Sequence, residues 1–229
     1  MNETETAARE RRAPSEFRRK ADERRKEQRR EELLDAAAAV FTKEGYHRAL
    51  VSDIVAQAGA GQGTFYRYFR DKREVFEALF DRFIESVLGQ FSEMSGNPPR
   101  SLAEYRDASV AAIQRVAALA ERERALVLLI VREGPTVDAA FEKRLGEFYE
   151  RLAMLAQTYL DHAVRSGFAR PCRTSAVSQG LVGMGFWVAQ QWWNGRLGDV
   201  GLERLIEEMV DFAFQGFGAP AGAASGGGR

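Results

Sequence analysis

GAGQGTFYRYFRDK, residues 59–72, begins with three glycines in five positions and continues with aromatic and arginine side chains at helical spacing. Phe65 and Phe69 stand four apart, so a helix over about 62–69 turns both inward. Gln62, Thr64, Arg67 and Tyr68 then point outward, with Tyr66 at the margin. Just upstream, Ser52 is placed to cap a short helix that buries Ile54, Val55 and Ala58 and ends at Gly59. Farther back, Leu33, Leu34, Ala37, Val40 and Phe41 recur at three- and four-residue steps, which predicts a longer helix starting near residue 17 and stopping at Gly45. Two short helices joined by a glycine-bearing turn and braced by a longer one form a helix-turn-helix.

In that arrangement the second short helix enters the major groove of DNA and its early residues reach base edges. Gly61 and Gly63 allow close approach of the main chain to a sugar-phosphate wall. Thr64, Tyr66, Tyr68 and Lys72 have hydrogen-bond donors for phosphate, while Arg67 and Gln62 have the fork or amide shape that reads guanine or adenine.

The run VSDIVAQAGAGQGTFYRYFRDKREVFEALF, residues 51–80, resembles the DNA-binding signature of the tetracycline-repressor (TetR/AcrR) family. The likeness lies in Ile54, Ala58, Gly59, Gly63, Thr64, Tyr66, Tyr68, Phe69, Lys72 and Phe76, and LLDAAAAVFTKEGY at 33–46 is similar to the family's first helix. The resemblance implies DNA contacts at Ser52, Gln62, Gly63, Thr64, Tyr66, Arg67, Tyr68 and Lys72. Gln62 departs from the lysine or arginine common at its position.

Charge divides the chain. Residues 1–73 carry 17 Lys and Arg against 13 Asp and Glu, leaving 16 against 20 for the remainder. Residues 9–30 alone hold eleven basic and five acidic side chains. This stretch is read as a basic flexible arm over 1–22 leading into a DNA-binding domain over 23–73, with Arg24 or Arg25 placed to enter an adjacent minor groove. His47 is a further candidate for a phosphate. One cysteine, Cys172, excludes an internal disulfide, and no apolar run approaches the roughly 20 residues of a membrane span. A cytoplasmic protein without membrane contact or cofactor is expected. HExxH, CxxC, GxSxG and a strand-borne GxGxxG are all absent, and His47 and His162 fall in different segments, so the chain does not read as an enzyme.

Beyond the reading unit every segment has helical period, which makes the fold all-α. Asp71 is placed to cap a long helix running to about residue 94, broken by SGNPP at 95–99. Further helices are expected near 101–120, 122–133 (closed by Gly134 and Pro135), 137–166 (closed by Gly167), 173–194 and 201–217. Together they make a ligand-binding and dimerisation domain over 74–217, followed by a disordered tail over 218–229. The last two helices are apolar on more than one side, and the family resemblance implies a dimer built from them. Gly180, Gly183, Met184, Leu202, Ile206, Met209 and Val210 are the interface candidates. Two subunits would place paired reading helices on a palindromic operator.

The resemblance also implies an effector among the central helices. Candidate walls are Phe83, Val87, Tyr105, Ile113, Leu126, Leu129, Ile130, Phe148, Leu152, Leu155 and Trp187. Arg132, Glu133, Gln190 and Gln191 supply polar groups at the edge. The segment ending RSGFARP, followed by an aromatic helix, is similar to acyl-CoA-responsive repressors of fatty-acid degradation, which implies a long acyl chain and an anionic head near Arg132. The continuous helix after Asp71 is the expected lever, and repression the expected sign. The alternative is a helical module that binds a protein partner through residues 180–193 without reading DNA. Salt separates the two, because counterion release makes phosphate binding steeply salt-dependent.

Overall fold

The computed structural model describes residues 16–91 and 99–215. The arm over 1–15, the break at 95–98, Phe217 and the tail over 218–229 lie outside the described residues. Among those described, every regular element is an α-helix, and the chain forms two compact units.

The first unit runs to Asp81 and takes in Leu128–Glu133. It contains α1 (Glu16–Glu44), α2 (Val51–Gln57), α3 (Gln62–Tyr68) and the first half of α4 (Lys72–Gly89). Its core follows the predicted periods: Leu33, Leu34, Ala37, Phe41, Ile54 and Phe65 are sealed from solvent, with Val75, Phe76, Leu79 and Phe80 from α4. The Phe76 ring lies edge-on to Phe41 at 5.6 Å and tilted to Tyr46 at 4.9 Å. Burying each of these large side chains contributes about 1.5–3 kcal/mol. These α4 residues carry the unit past residue 73, where the sequence placed its edge.

Gly45 ends α1 with φ +82°, and Gly59 turns the chain between α2 and α3 with φ +57°, both conformations that a Cβ disfavours. Two expectations need correction at the helix starts. The helix expected from near residue 17 begins at Glu16, so residues 16–22, which the domain division gave to the flexible arm, are helical; arginine, lysine, glutamate and alanine favour helix, and pairs such as Arg25–Asp22 at 3.8 Å support the turns. Ser52 lies in the first turn of α2 and does not cap it. Leu50 takes the cap position, and its N–H donates to the Asp53 carboxylate at 3.1 Å. Asp71 does cap α4, accepting from the Glu74 N–H at 2.9 Å. Glu74 reaches back to the Arg70 N–H at 2.6 Å, which holds its carboxyl below the usual range.

The second unit comprises Arg82–Val127 and the chain from Gly134 on. It holds the rest of α4, α5 (Leu102–Arg122), the ends of α6 (Arg124–Val137), and α7 (Ala139–Arg165), α8 (Thr174–Trp193) and α9 (Leu202–Gln215). Helix α8 packs on α7, and α9 on α5. Asp138 caps α7 by accepting from the Phe141 N–H at 2.8 Å, and Gly167, φ +74°, closes it. Helix α6 does not stop at Gly134 and Pro135 as expected. Proline removes one backbone donor and crowds the carbonyl four residues back, but so close to the end this does not stop the helix, which continues to Val137, where Asp138 turns extended.

Candidate nucleic-acid interface

Helix α3 is short, so its attitude depends on what holds its two ends. Gly61 caps it in an extended conformation, its carbonyl accepting from Thr64 at 2.9 Å and Phe65 at 3.3 Å. Phe65 is fully buried and Phe69 nearly so, their rings 5.8 Å apart, which anchors one face. The other face presents Gln62, Gly63, Tyr66 and Arg67 to solvent, while Thr64 and Tyr68 are half-buried. Tyr66 is 57% exposed, so it belongs to the outer face. Ser52 is exposed on α2, and His47 is exposed beside the Tyr46 ring.

The fold itself makes no demand for glycine at 61 or 63. Neither has a left-handed φ, and no atom lies within 4 Å of where a Cβ would stand. Bare backbone at these positions suits an external surface that comes close.

Lys72 departs from its expected role as a phosphate donor. Its ammonium donates to three backbone carbonyls, Tyr46 at 2.9 Å, His47 at 2.9 Å and Ala49 at 3.0 Å. It also sits 4.8 Å from the centre of the Tyr46 ring. An ammonium has three donors, and all three are occupied. Lys72 therefore ties the start of α4 to the loop that leads into α2.

Two further residues of this unit were not legible as such. Glu133, read from sequence as a pocket-edge group, accepts from the Tyr46 N–H at 2.8 Å, and its Oε1 would lie 3.0 Å from a Cβ at residue 45. It thus satisfies a backbone donor just past the end of α1 and favours glycine at 45 for space as well as for φ. Arg30 lies over the Phe69 ring at 5.4 Å, joining α1 to the end of α3. Spacing carries no signal for a partner 87 residues away in the chain.

The expected effector walls are divided. Leu129 and Ile130 belong to the first unit, as does exposed Arg132. Ile113 at 40% and Trp187 at 61% exposure line no interior of this chain. Val87, Tyr105, Leu126 and Phe148 are buried in the second unit, with Phe83, Leu152 and Leu155 half-buried, and Phe83 meets Phe148 at 6.3 Å. Burial raises the Tyr105 and Tyr149 hydroxyls, the latter to about 12, so both remain neutral donors. Of the interface candidates, Ile206 and Val210 are buried within the chain on α9 and are unavailable to a partner. Gly180 and Gly183 are exposed, and Met184, Leu202 and Met209 are half-buried.

An outward face of amide, glycine, phenol and guanidinium on a helix pinned from behind has the chemistry that reading a DNA groove requires. Residues 33–79 match the family of bacterial regulatory proteins termed tetR. The match covers the helix-turn-helix and the start of the helix that follows it. A fatty acid metabolism regulator protein of Bacillus subtilis is 25% identical over 136 residues, spanning 59% of this chain and 68% of the relative. The transcriptional repressor KstR2 of Mycobacterium tuberculosis is 23% identical over 166 residues, spanning 71% and 80%. Among solved structures, the regulator FadR of Bacillus subtilis in complex with stearoyl-CoA is superposable with a TM-score of 0.69 at 18% identity, covering 82% of this chain and 98% of that one. These relatives are transcriptional regulators, not enzymes. Among the described residues, no helix is long and apolar enough to cross a membrane.

Proposed function

We propose that this DNA-binding regulator acts as a dimeric repressor that reads a palindromic operator through α3 and is released by a long-chain fatty acyl-CoA. The observation that carries the DNA reading is the pinned α3, with Arg67, Tyr66 and Gln62 projecting from it and Phe65 and Phe69 behind it. Dimerisation is supported by an apolar face on α8, where Val177, Gly180, Met184 and Trp187 fall at three- and four-residue steps and Trp187 is largely exposed. The acyl-CoA reading draws on the stearoyl-CoA of the B. subtilis structure and on the aromatic interior of the second unit. Helices α4 and α6 contribute residues to both units, so an effector that prefers one arrangement of the second has covalent routes to the first.

The test is selection from random duplexes by the purified chain, with and without stearoyl-CoA. A palindrome with half-sites about one helical turn apart is expected, with affinity lowered about 5- to 150-fold by the acyl-CoA. Enrichment of no sequence with or without the ligand would remove the DNA reading, and a palindrome indifferent to the ligand would remove the effector.

Gly63→Ala separates folding from binding. With no neighbour within 4 Å and an ordinary φ, the methyl group costs nothing internally and raises stability by about 0.4–1 kcal/mol. Operator affinity nevertheless falls, because the methyl projects at the surface that meets the DNA. Parallel thermal melts and binding titrations check the opposite signs; affinity equal to wild type would exclude close approach at residue 63.

A further inference from the structure

Helix α1 outgrows the core it supports. Its inward face carries Phe41, Ala37 and Leu33, all fully buried, and one turn further toward the N-terminus Arg30, half-buried over the Phe69 ring. Counting back along the same stripe in steps of seven, four and seven leads from Ala37 to Arg30, from Arg30 to Lys26, and from Lys26 to Arg19. These spacings return to one side of an α-helix. The stripe that is apolar where the core covers it therefore becomes basic where nothing in the unit does, with Glu23 at its shoulder. Arg30 fixes which way it faces, toward the end of α3.

The overhang is long enough to matter. From Arg30 to Arg19 the helix rises about 16 Å, roughly half a turn of duplex DNA. Arg25, Arg29 and Arg30 are engaged in ion pairs within α1, to Asp22, Glu32 and Glu27. Arg19 and Lys26 are exposed and have no such pair among the described residues. A helix about 10–12 Å across does not enter a minor groove about 6 Å wide, so the insertion of Arg24 or Arg25 expected of an extended arm does not suit residues held in α1. Arg24 in any case lies on the opposite side from the stripe.

We propose that Arg19 and Lys26 grip backbone phosphates flanking the base pairs read by α3, extending the footprint of each subunit beyond its half-site. This rests on the DNA reading above. Contacts of this kind add affinity and salt dependence without base preference.

The test uses the full-length chain and the duplex that wild type enriches, in a version with long flanks and one trimmed close to the palindrome. For Arg19→Ala/Lys26→Ala on the long duplex, the slope of log affinity against log salt should fall in magnitude by about 1.8 per subunit, two phosphates at about 0.9 each. The enriched sequence should stay the same, and the helix survives because alanine is the strongest helix former. Trimming the flanks should lower the wild-type slope to the same value and leave the double variant unchanged. Arg24→Ala, on the far side, should behave as wild type. An unchanged slope in the double variant, an equal loss in Arg24→Ala or a changed enriched sequence would each overturn the proposal. Failure of wild type to enrich any duplex would instead remove the DNA reading on which it stands.

Discussion

Arg67→Ala should abolish selection at one base position in each half-site and lower operator affinity by about 1–3 kcal/mol per half-site, or about 2–6 kcal/mol for a dimer on a palindrome. The side chain is exposed on the last turn of α3, and no partner within the described residues competes for its guanidinium. A bidentate pair with guanine O6 and N7 is the contact its shape fits best. Stability should hardly change, since removing an exposed side chain away from caps and core usually costs under about 0.5 kcal/mol. Selection from random duplexes by the variant, beside wild type, is the measurement. An unrelaxed palindrome with affinity lowered evenly across sequences would place Arg67 on a phosphate; an unchanged palindrome at full affinity would remove it from the interface.

Lys72→Met should destabilise the first unit by about 2–4 kcal/mol. Three carbonyls that share one ammonium lose it together, and hydrogen bonds to a charged group contribute about 1.5–3 kcal/mol each where water cannot substitute. The loop is partly exposed, so water recovers some of that sum. Lys72→Arg should rescue only in part, because a planar fork does not converge on three carbonyls as an ammonium does. Denaturant unfolding followed in the first unit gives the stability, and operator titrations at several salt concentrations give the binding. If Lys72→Met kept its stability and instead lowered the salt slope by about one phosphate, Lys72 would be a DNA contact after all.

Most of the first unit was legible because its signals are local. Phe65 and Phe69 announce the inner face of α3 by spacing alone, Gly45 and Gly59 mark the turns by their need for positive φ, and Asp71 caps where a short acidic side chain precedes a helix. Ser52 misled because a hydroxyl near a helix start looks like a cap, while the actual cap box uses Asp53 behind an apolar Leu50. The second unit yielded its helices but not the use of their faces. Ile206 and Trp187 are both large and apolar at helical spacing, yet one is buried within the chain and the other stands in solvent.

What the sequence by itself determined is the all-helical class, the helix-turn-helix and the outward placement of Gln62 and Arg67, since period, caps and glycines act within a few residues of one another. Only the tertiary structure decided that Lys72 is a clamp, that Glu133 serves the loop after α1, and which apolar faces lie inside. Those outcomes depend on which distant groups are brought together to satisfy buried donors and cover apolar surface, and a linear pattern carries no record of that meeting.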